Sequence, residues 1–274
     1  MNKIIKKISI GAVIALSFSL QSCSDGLASL ISIDQDKQLG VQVKTQVLTE
    51  NGSKVLTRSQ YPAQYNYLDG IFNKIKTAAK ANTSMQYADV FDWELFIINE
   101  PTLNAFCTPG GKIFVYTGIL KFLDNEDDFA GVLGHECAHA DRRHTSKQMV
   151  EAYGLEFITS LLLGQNAGQI AEVAKGLVGL NFSRTHESDA DTYSVKYLCG
   201  SGYATNGASS FFSKLLASGQ GSSTPAFLST HPDPGNRVAN INSAATTQMT
   251  EKGCSTTPNQ GVITTWAQFK ASLP

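Results

Sequence analysis

Two histidines four positions apart, with a glutamate beside the first, constrain this chain more than any other feature: His135, Glu136 and His139 in the stretch GHECAHADRRH (residues 134–144). On a helix, positions i and i+4 stand one turn apart on the same face. Read as a helix, the stretch aims both histidines at a common point, and the fold has to be built around it. This is the HExxH pattern, in which two imidazoles grip one zinc ion and the glutamate takes a proton from water that the metal activates. Three of the five histidines of the chain fall in these eleven residues. The third, His144, reads as a solvent-facing residue at the polar end of the helix. A polar helix that merely collects histidine is the plain alternative, and a third ligand elsewhere decides between the two.

The candidate is Glu187, in SRTHESDAD over residues 183–191. An acid on a later helix completes a His, His, Glu set and leaves a fourth position open to water. Asp191 stands one turn further along the same face. There it is placed to accept a hydrogen bond from the ring nitrogen that a zinc-binding histidine leaves free, the contact that fixes tautomer and orientation. A solvated acidic helix face would explain both residues if HExxH were absent. With HExxH present the ligand reading is preferred. His144 and His186 are expected at the surface or in local hydrogen bonds, since the zinc is already served.

At 274 residues, with 42% hydrophobic and 16% charged residues, the chain can bury one ordinary globular core. Ser32 before IDQD reads as a capped helix start, and Leu68, Ile71, Phe72 and Ile75 mark an amphipathic helix ending before Asn82. WELFIIN (93–99) has the composition of a strand, and NAFCTPGGKIFVYTG (104–118) reads as strand, Pro-Gly-Gly turn and strand. A small antiparallel sheet is the expectation. Asn125 before three acids starts the HExxH helix with a cap and a favourable dipole. GLEFITSLLLG (154–164) is too short to span a bilayer and reads as a buried helix. Residues 183–198 read as another helix, and SGQGSSTPAFLSTHPDPGN (218–236) as a loop.

The chain opens with Lys3, Lys6 and Lys7, an apolar stretch over residues 8–20, and LQSC at 20–23. This is a signal-peptide pattern, and the apolar stretch falls well short of the roughly 20 residues of a membrane span. The ending resembles the bacterial lipobox, which makes Cys23 the expected lipid-modified residue; plain secretion with cleavage near Ser22 is the alternative. Removing residues 1–22 takes away three lysines and no acid. The remaining body is mildly acidic, without the basic stripe that a nucleic-acid partner asks for. Cys199 and Cys254 lie in polar, glycine-containing surroundings and are the favoured disulfide, although sequence cannot fix the pairing. Cys107 and Cys137 read as small buried hydrophobes.

Four stretches, NAFCTPGGKIFVYTGIL (104–120), VLGHECAHADRRH (132–144), SRTHESDAD (183–191) and LSTHPDPGNR (228–237), carry a resemblance. In this order and at similar spacing they are similar to the HtpX and CAAX prenyl protease (Ste24-like) family of zinc metallopeptidases, over roughly residues 90–240. Within it the chain resembles the compact, peptidase-only lipoproteins related to BepA. The resemblance implies an α+β, zincin-like metalloprotease fold of the gluzincin type, mostly helical, with one zinc ion per chain on His135, His139 and Glu187. It makes Glu136 the general base and Asp191 a supporting residue, with Arg184 as a partner for nearby acids. It brings His231 of the THP motif near the metal, either filling the open position in a resting state or stabilising the oxyanion; a loop histidine with no metal contact is the alternative. Arg237 then anchors that loop. Asn104, Ala105 and Phe106 match the segment beside the cleft, where an edge strand holds an extended peptide by β-addition, unless Phe106 is simply core.

The implied organisation is a lipoprotein signal peptide over 1–22 and one metallopeptidase domain over 23–274, with N-terminal helices 32–81, a catalytic core 90–240 and a C-terminal segment 241–274. The implied activity is zinc-dependent endopeptidase cleavage in protein quality control, on unfolded or misassembled envelope proteins. Cys23 would hold the enzyme on the periplasmic side of a bacterial membrane, with Ser24 after it favouring the outer one. A second expectation, of another class, is an envelope assembly factor or chaperone whose zinc site is closed by His231 and which cuts rarely. A purely structural zinc site is disfavoured, because such sites are usually cysteine-rich and have no use for Glu136.

Overall fold

The computed structural model describes residues 30–164, 167–179, 181–218, 226–232, 236–257 and 263–274; the expected signal peptide and Cys23 lie outside these residues. Helix α1 (Ile33–Asn51) begins at a capping box in which Ser32 accepts from the Gln35 amide and the Gln35 side chain answers to the Ser32 amide. Strand β1 (Val55–Leu56) leads to α2 (Pro62–Ala81), where Leu68, Ile71, Phe72 and Ile75 form the buried face. Strands β2 (Glu94–Ile98), β3 (Ala105–Cys107) and β4 (Lys112–Tyr116) follow. The turn between the last two uses Gly110 and Gly111 at φ 70° and 85°, a left-handed conformation open to glycine.

The sheet order is β1-β2-β4-β3. The two outer strands run antiparallel to their neighbours, but β2 and β4 are parallel, from Glu94 opposite Lys112 to Ile98 opposite Tyr116. The sheet is thus mixed rather than antiparallel throughout. The Pro-Gly-Gly turn links only β3 to β4, so it says nothing about the direction in which β2 meets β4. Period-two alternation gives the sheet two apolar faces. Ile113, Val115, Ala105 and Cys107 join one cluster, and Phe114, Tyr116 and Phe106 join the other.

Helices α3 (Thr117–Phe122), α4 (Glu126–Asp141), α5 (His144–Tyr153), α6 (Leu155–Leu162) and α7 (Ile170–Gly179) come next, then α8 (Arg184–Leu198), α9 (Gly207–Ser218), α10 (Ala226–Thr230), α11 (Arg237–Lys252) and α12 (Ile263–Ala271). Helices α1, α5, α6 and α7 cover the Phe114 face; α2, α4, α8, α9 and α11 share the other cluster with Trp266 of α12. The N-terminal helices and the C-terminal segment therefore share their cores with the middle of the chain, and α11 runs across the 240/241 boundary. Two local expectations change. Helix α6 is half-buried, packing Ile158, Leu161 and Leu162 inward and leaving Leu163 at its end exposed. The stretch expected as a loop contains α10, because Phe227 is fully buried and its amide donates to the Leu103 carbonyl. Cys199 and Cys254 form a disulfide, and Cys107 and Cys137 are free and buried. No helix among the described residues is long and apolar enough to cross a membrane.

Candidate metal centre

The site is assembled on α4, which Asn125 caps by accepting from the Asp128 amide and whose every residue is buried. A helix buried all round lets neighbours approach only where its side chains are small. Gly134 faces α8, where an added Cβ would stand 2.8 Å from Ser194 Oγ and from a Leu198 methyl, and the Ser194 hydroxyl donates to the Gly131 carbonyl. Helix α8, capped by Ser183, is thereby laid against α4 with Glu187 and Asp191 facing the histidines.

Four side chains converge: His135, His139, Glu187 and His231 offer donor atoms that all lie within 4.8 Å of one another, and all four are buried. His139 Nε2 is 3.0 Å from His135 Nε2 and 3.2 Å from Glu187 Oε1. His231 Nδ1 closes the ring, at 3.3 Å from His135 Nε2 and 3.0 Å from Glu187 Oε1. A tetrahedron with metal–nitrogen bonds of about 2.0–2.1 Å has donor–donor edges of roughly 3.3 Å. The spacing and the nitrogen–oxygen donor set fit a zinc-like ion.

Beyond the donors, Asp191 Oδ1 lies 2.9 Å from His135 Nδ1. Arg237 grips Asp191 with two bonds of 2.7 Å, reaches Glu187 Oε2 at 2.9 Å, and touches the His231 carbonyl at 3.5 Å. Its guanidinium carbon sits 3.7 Å from the Phe212 ring centre. His139 is stacked on Phe182 at 3.8 Å and His231 on Phe227 at 4.3 Å between ring centres, so apolar walls enclose the polar cluster.

Glu136 differs from its neighbours. Both of its oxygens are buried without a hydrogen-bond partner among the described residues, as is Nε2 of His231, and these two groups approach no closer than 3.6 Å. Burial pushes the Glu136 carboxyl above its usual range, with His231 and His135 opposing. Burial works to raise Glu187 as well, but the three histidines around it hold it well below the usual range. His139 is pushed well down by burial. For His135, burial and Arg237 work downward, yet Glu187 and Asp191 prevail and raise it to about 9.

Three placements sharpen or correct the sequence reading. Of the two settings expected for His144 and His186, the surface is excluded, since they are 2% and 8% exposed and stacked on each other at 4.5 Å, while His144 meets the other by its contacts with His139 and Asp189. The reason is a reversal at Arg143, left-handed at φ 59°, which ends α4 and folds the start of α5 back against it. Burial lowers both histidines, His186 to about 4. Arg184 faces solvent with no ion pair among the described residues, and the partner of the acids is Arg237 instead. Strand β3 is an edge strand, as β-addition requires, while the side chains of Asn104, Ala105 and Phe106 are buried and Phe106 stacks on Phe114 at 4.9 Å, the core placement given as its alternative. The involvement of His144 left no signal in the sequence, since no glycine or asparagine marks the left-handed turn.

A family model described as peptidase family M48 matches residues 62–245. The chain is 31% identical over 216 residues to mitochondrial metalloendopeptidase OMA1 of Schizosaccharomyces pombe, which covers 77% of this chain and 61% of that protein. It is 30% identical over 193 residues to the protein of the same name from Arabidopsis thaliana, covering 69% of this chain and 40% of the relative. With the beta-barrel assembly-enhancing protease of Escherichia coli K12 it shares 26% over 243 residues, 83% of this chain and 47% of the relative. The chain spans about half the length of the relatives it matches.

Proposed function

The chain belongs to peptidase family M48, and on that premise we propose that it is a zinc-dependent metalloendopeptidase acting through Glu136. The observation that carries this reading is the Glu136 carboxylate itself, fully buried beside the donor set with neither oxygen bonded among the described residues. An unpaired buried carboxylate is costly to the fold. Its retention fits a group reserved for a proton. His135, His139 and Glu187 would hold a zinc ion, which when bound would supply Lewis-acid polarisation of the scissile carbonyl and an acidified water. Glu136 takes the water proton on a carboxylate oxygen and delivers it to the leaving amine; its raised pKa suits both halves of that transfer. Asp191 holds His135 by its far nitrogen, and Arg237 holds Asp191 and Glu187 in place.

His231 decides when this happens. With Nδ1 inside the donor group it would fill the fourth position of a bound ion, which supports a resting site that opens when His231 withdraws. The same contact favours the second reading, an assembly factor or chaperone with little proteolysis. The four ordered motifs support placement beside the HtpX and CAAX prenyl proteases, among the BepA-related lipoproteins. The basic start, apolar run and LQSC support lipidation at Cys23 on the periplasmic side of an outer membrane. One relative is named for β-barrel assembly and another for mitochondria; the signal-peptide pattern favours the former setting, with unfolded or misassembled envelope proteins as substrates.

The test is metal analysis and a peptide-cleavage assay on wild type, Glu136→Gln and His231→Ala. Glu136→Gln should keep zinc at wild-type stoichiometry and lose about 10²–10⁴-fold in cleavage rate. Cleavage at the wild-type rate would remove Glu136 as the base. His231→Ala should raise cleavage if the histidine closes the site and lower it if it serves the oxyanion. A wild type that holds zinc but cuts little, with cleavage appearing only in His231→Ala, supports the assembly factor or chaperone.

A further inference from the structure

The two imidazoles of α4 are alike at the nitrogens that face the donor group and unlike at the far ones. His135 offers Nδ1 to Asp191. On the far side of His139, Nδ1 lies 3.3 Å from Nδ1 of another imidazole, His144. Nε2 of His144 is 3.1 Å from Asp189 Oδ2, and that oxygen also accepts from Arg142 Nε at 3.0 Å. His144 is 2% exposed, while Arg142 and Asp189 have side chains about one third exposed, at 33% and 32%. A relay of polar groups therefore runs from the rim of the molecule to the donor set.

Proton bookkeeping leaves one assignment along it. Nε2 of His139 points at His135 Nε2 and Glu187 Oε1, so as a metal donor it carries no proton. The neutral ring must then be protonated on Nδ1. That N–H donates, so Nδ1 of His144 accepts, and the single proton of His144 sits on Nε2, where the Asp189 carboxylate accepts it. Each step fixes the next.

The backbone is bent to make this contact. On an unbroken helix, residues five apart stand roughly 140° from one another and do not meet. His144 reaches His139 because Arg142 caps α4 and Arg143 turns left-handed, a conformation unfavourable for a non-glycine residue. Asp36, itself fully buried, holds Arg143 there at 2.6 Å.

We propose that His144 is a positioning residue of the metal centre, fixing the tautomer and ring orientation of His139 at the inner end of an Arg142–Asp189–His144 relay. This rests on reading the site as a metal centre. The test uses the full chain and zinc as the probe, with affinity read by competition against a chelator. His144→Phe keeps the ring and its stack on His186 but has no acceptor; His144→Asn sets an amide oxygen near the place of Nδ1. His144→Phe should weaken zinc binding about 10–100-fold, and His144→Asn should recover most of that loss. Zinc held by His144→Phe as tightly as by wild type overturns the proposal, and so does a loss that His144→Asn fails to recover. Independently of how the variants fold, ¹⁵N spectra of the zinc-loaded wild type should show His139 protonated on Nδ1 and His144 on Nε2; the reverse placement overturns it. A wild type that takes up no zinc sinks the metal-centre reading as well, whereas tight zinc with no effect of His144→Phe sinks this inference alone.

Discussion

Asp191 serves two masters at the residue scale: His135 Nδ1 on one oxygen and the guanidinium of Arg237 on both. Removing it does two separable things. Asp191→Ala should weaken zinc binding about 10–100-fold, because His135 loses the partner that orients it. It should also destabilise the metal-free fold by about 3 kcal/mol, the low end for breaking a buried pair, since Arg237 keeps Glu187 as a partner. Chelator competition reads the first and thermal unfolding without metal the second; a variant unchanged in both would leave Asp191 a bystander. Asp191 was legible in the sequence because its spacing from Glu187 is a helical repeat, a one-dimensional property. Arg237 was visible only as a loop anchor, since its reach to Asp191 and Glu187 depends on where α11 lands. For His144 the sequence leaves open surface or local hydrogen bond, because its burial depends on a backbone reversal that no residue type announces.

At the scale of elements, backbone contact rather than side-chain packing sets where the helices cross. An added Cβ at Gly131 would stand 2.1 Å from the Ala208 amide nitrogen, and one at Gly207 would stand 2.0 Å from the Asp127 carbonyl oxygen. Helices α4 and α9 therefore touch main chain to main chain, and neither can yield without moving the helix that carries His135. Gly131→Ala should cost about 3 kcal/mol, the overpacking range, and lower the melting temperature by roughly 6–12 °C for a chain of this size. Gly70 is the control. It lies exposed in α2 with nothing within 4 Å of an added Cβ, so Gly70→Ala should stabilise by about 0.5–1 kcal/mol through helix propensity alone. Equal effects of the two substitutions in a melting series would refute the crossing argument. Helix starts at Ser32 and Asn125 could be read from the sequence because caps are local. The parallel β2–β4 pairing and the glycine crossing could not, since each is decided by a partner far along the chain.

Across the whole molecule, α8 is held by two constraints of different kind. Its Glu187 joins the donor set shared with α4 and His231, and the cysteine just past its end, Cys199, is bonded to Cys254 beyond α11, 55 residues on. In the chain-entropy account a disulfide closing a loop of that length stabilises by about 4 kcal/mol, by restricting the unfolded chain. Metal acts on the other side of the equilibrium, binding the folded form alone; free zinc at a thousand times its dissociation constant contributes about 4.1 kcal/mol. Whether the two are independent depends on distance. Twelve residues of helix separate Glu187 from Cys199, roughly 18 Å along the axis, beyond the 7–10 Å within which effects usually couple. Unfolding measured on four forms, oxidised or reduced and with or without zinc, should therefore show the two contributions adding within about 0.5 kcal/mol. The doubly depleted form should melt roughly 16–32 °C below the intact one, close to the limit of what an ordinary domain tolerates. An interaction term above about 1 kcal/mol would show that the disulfide shapes the donor set through the length of α8.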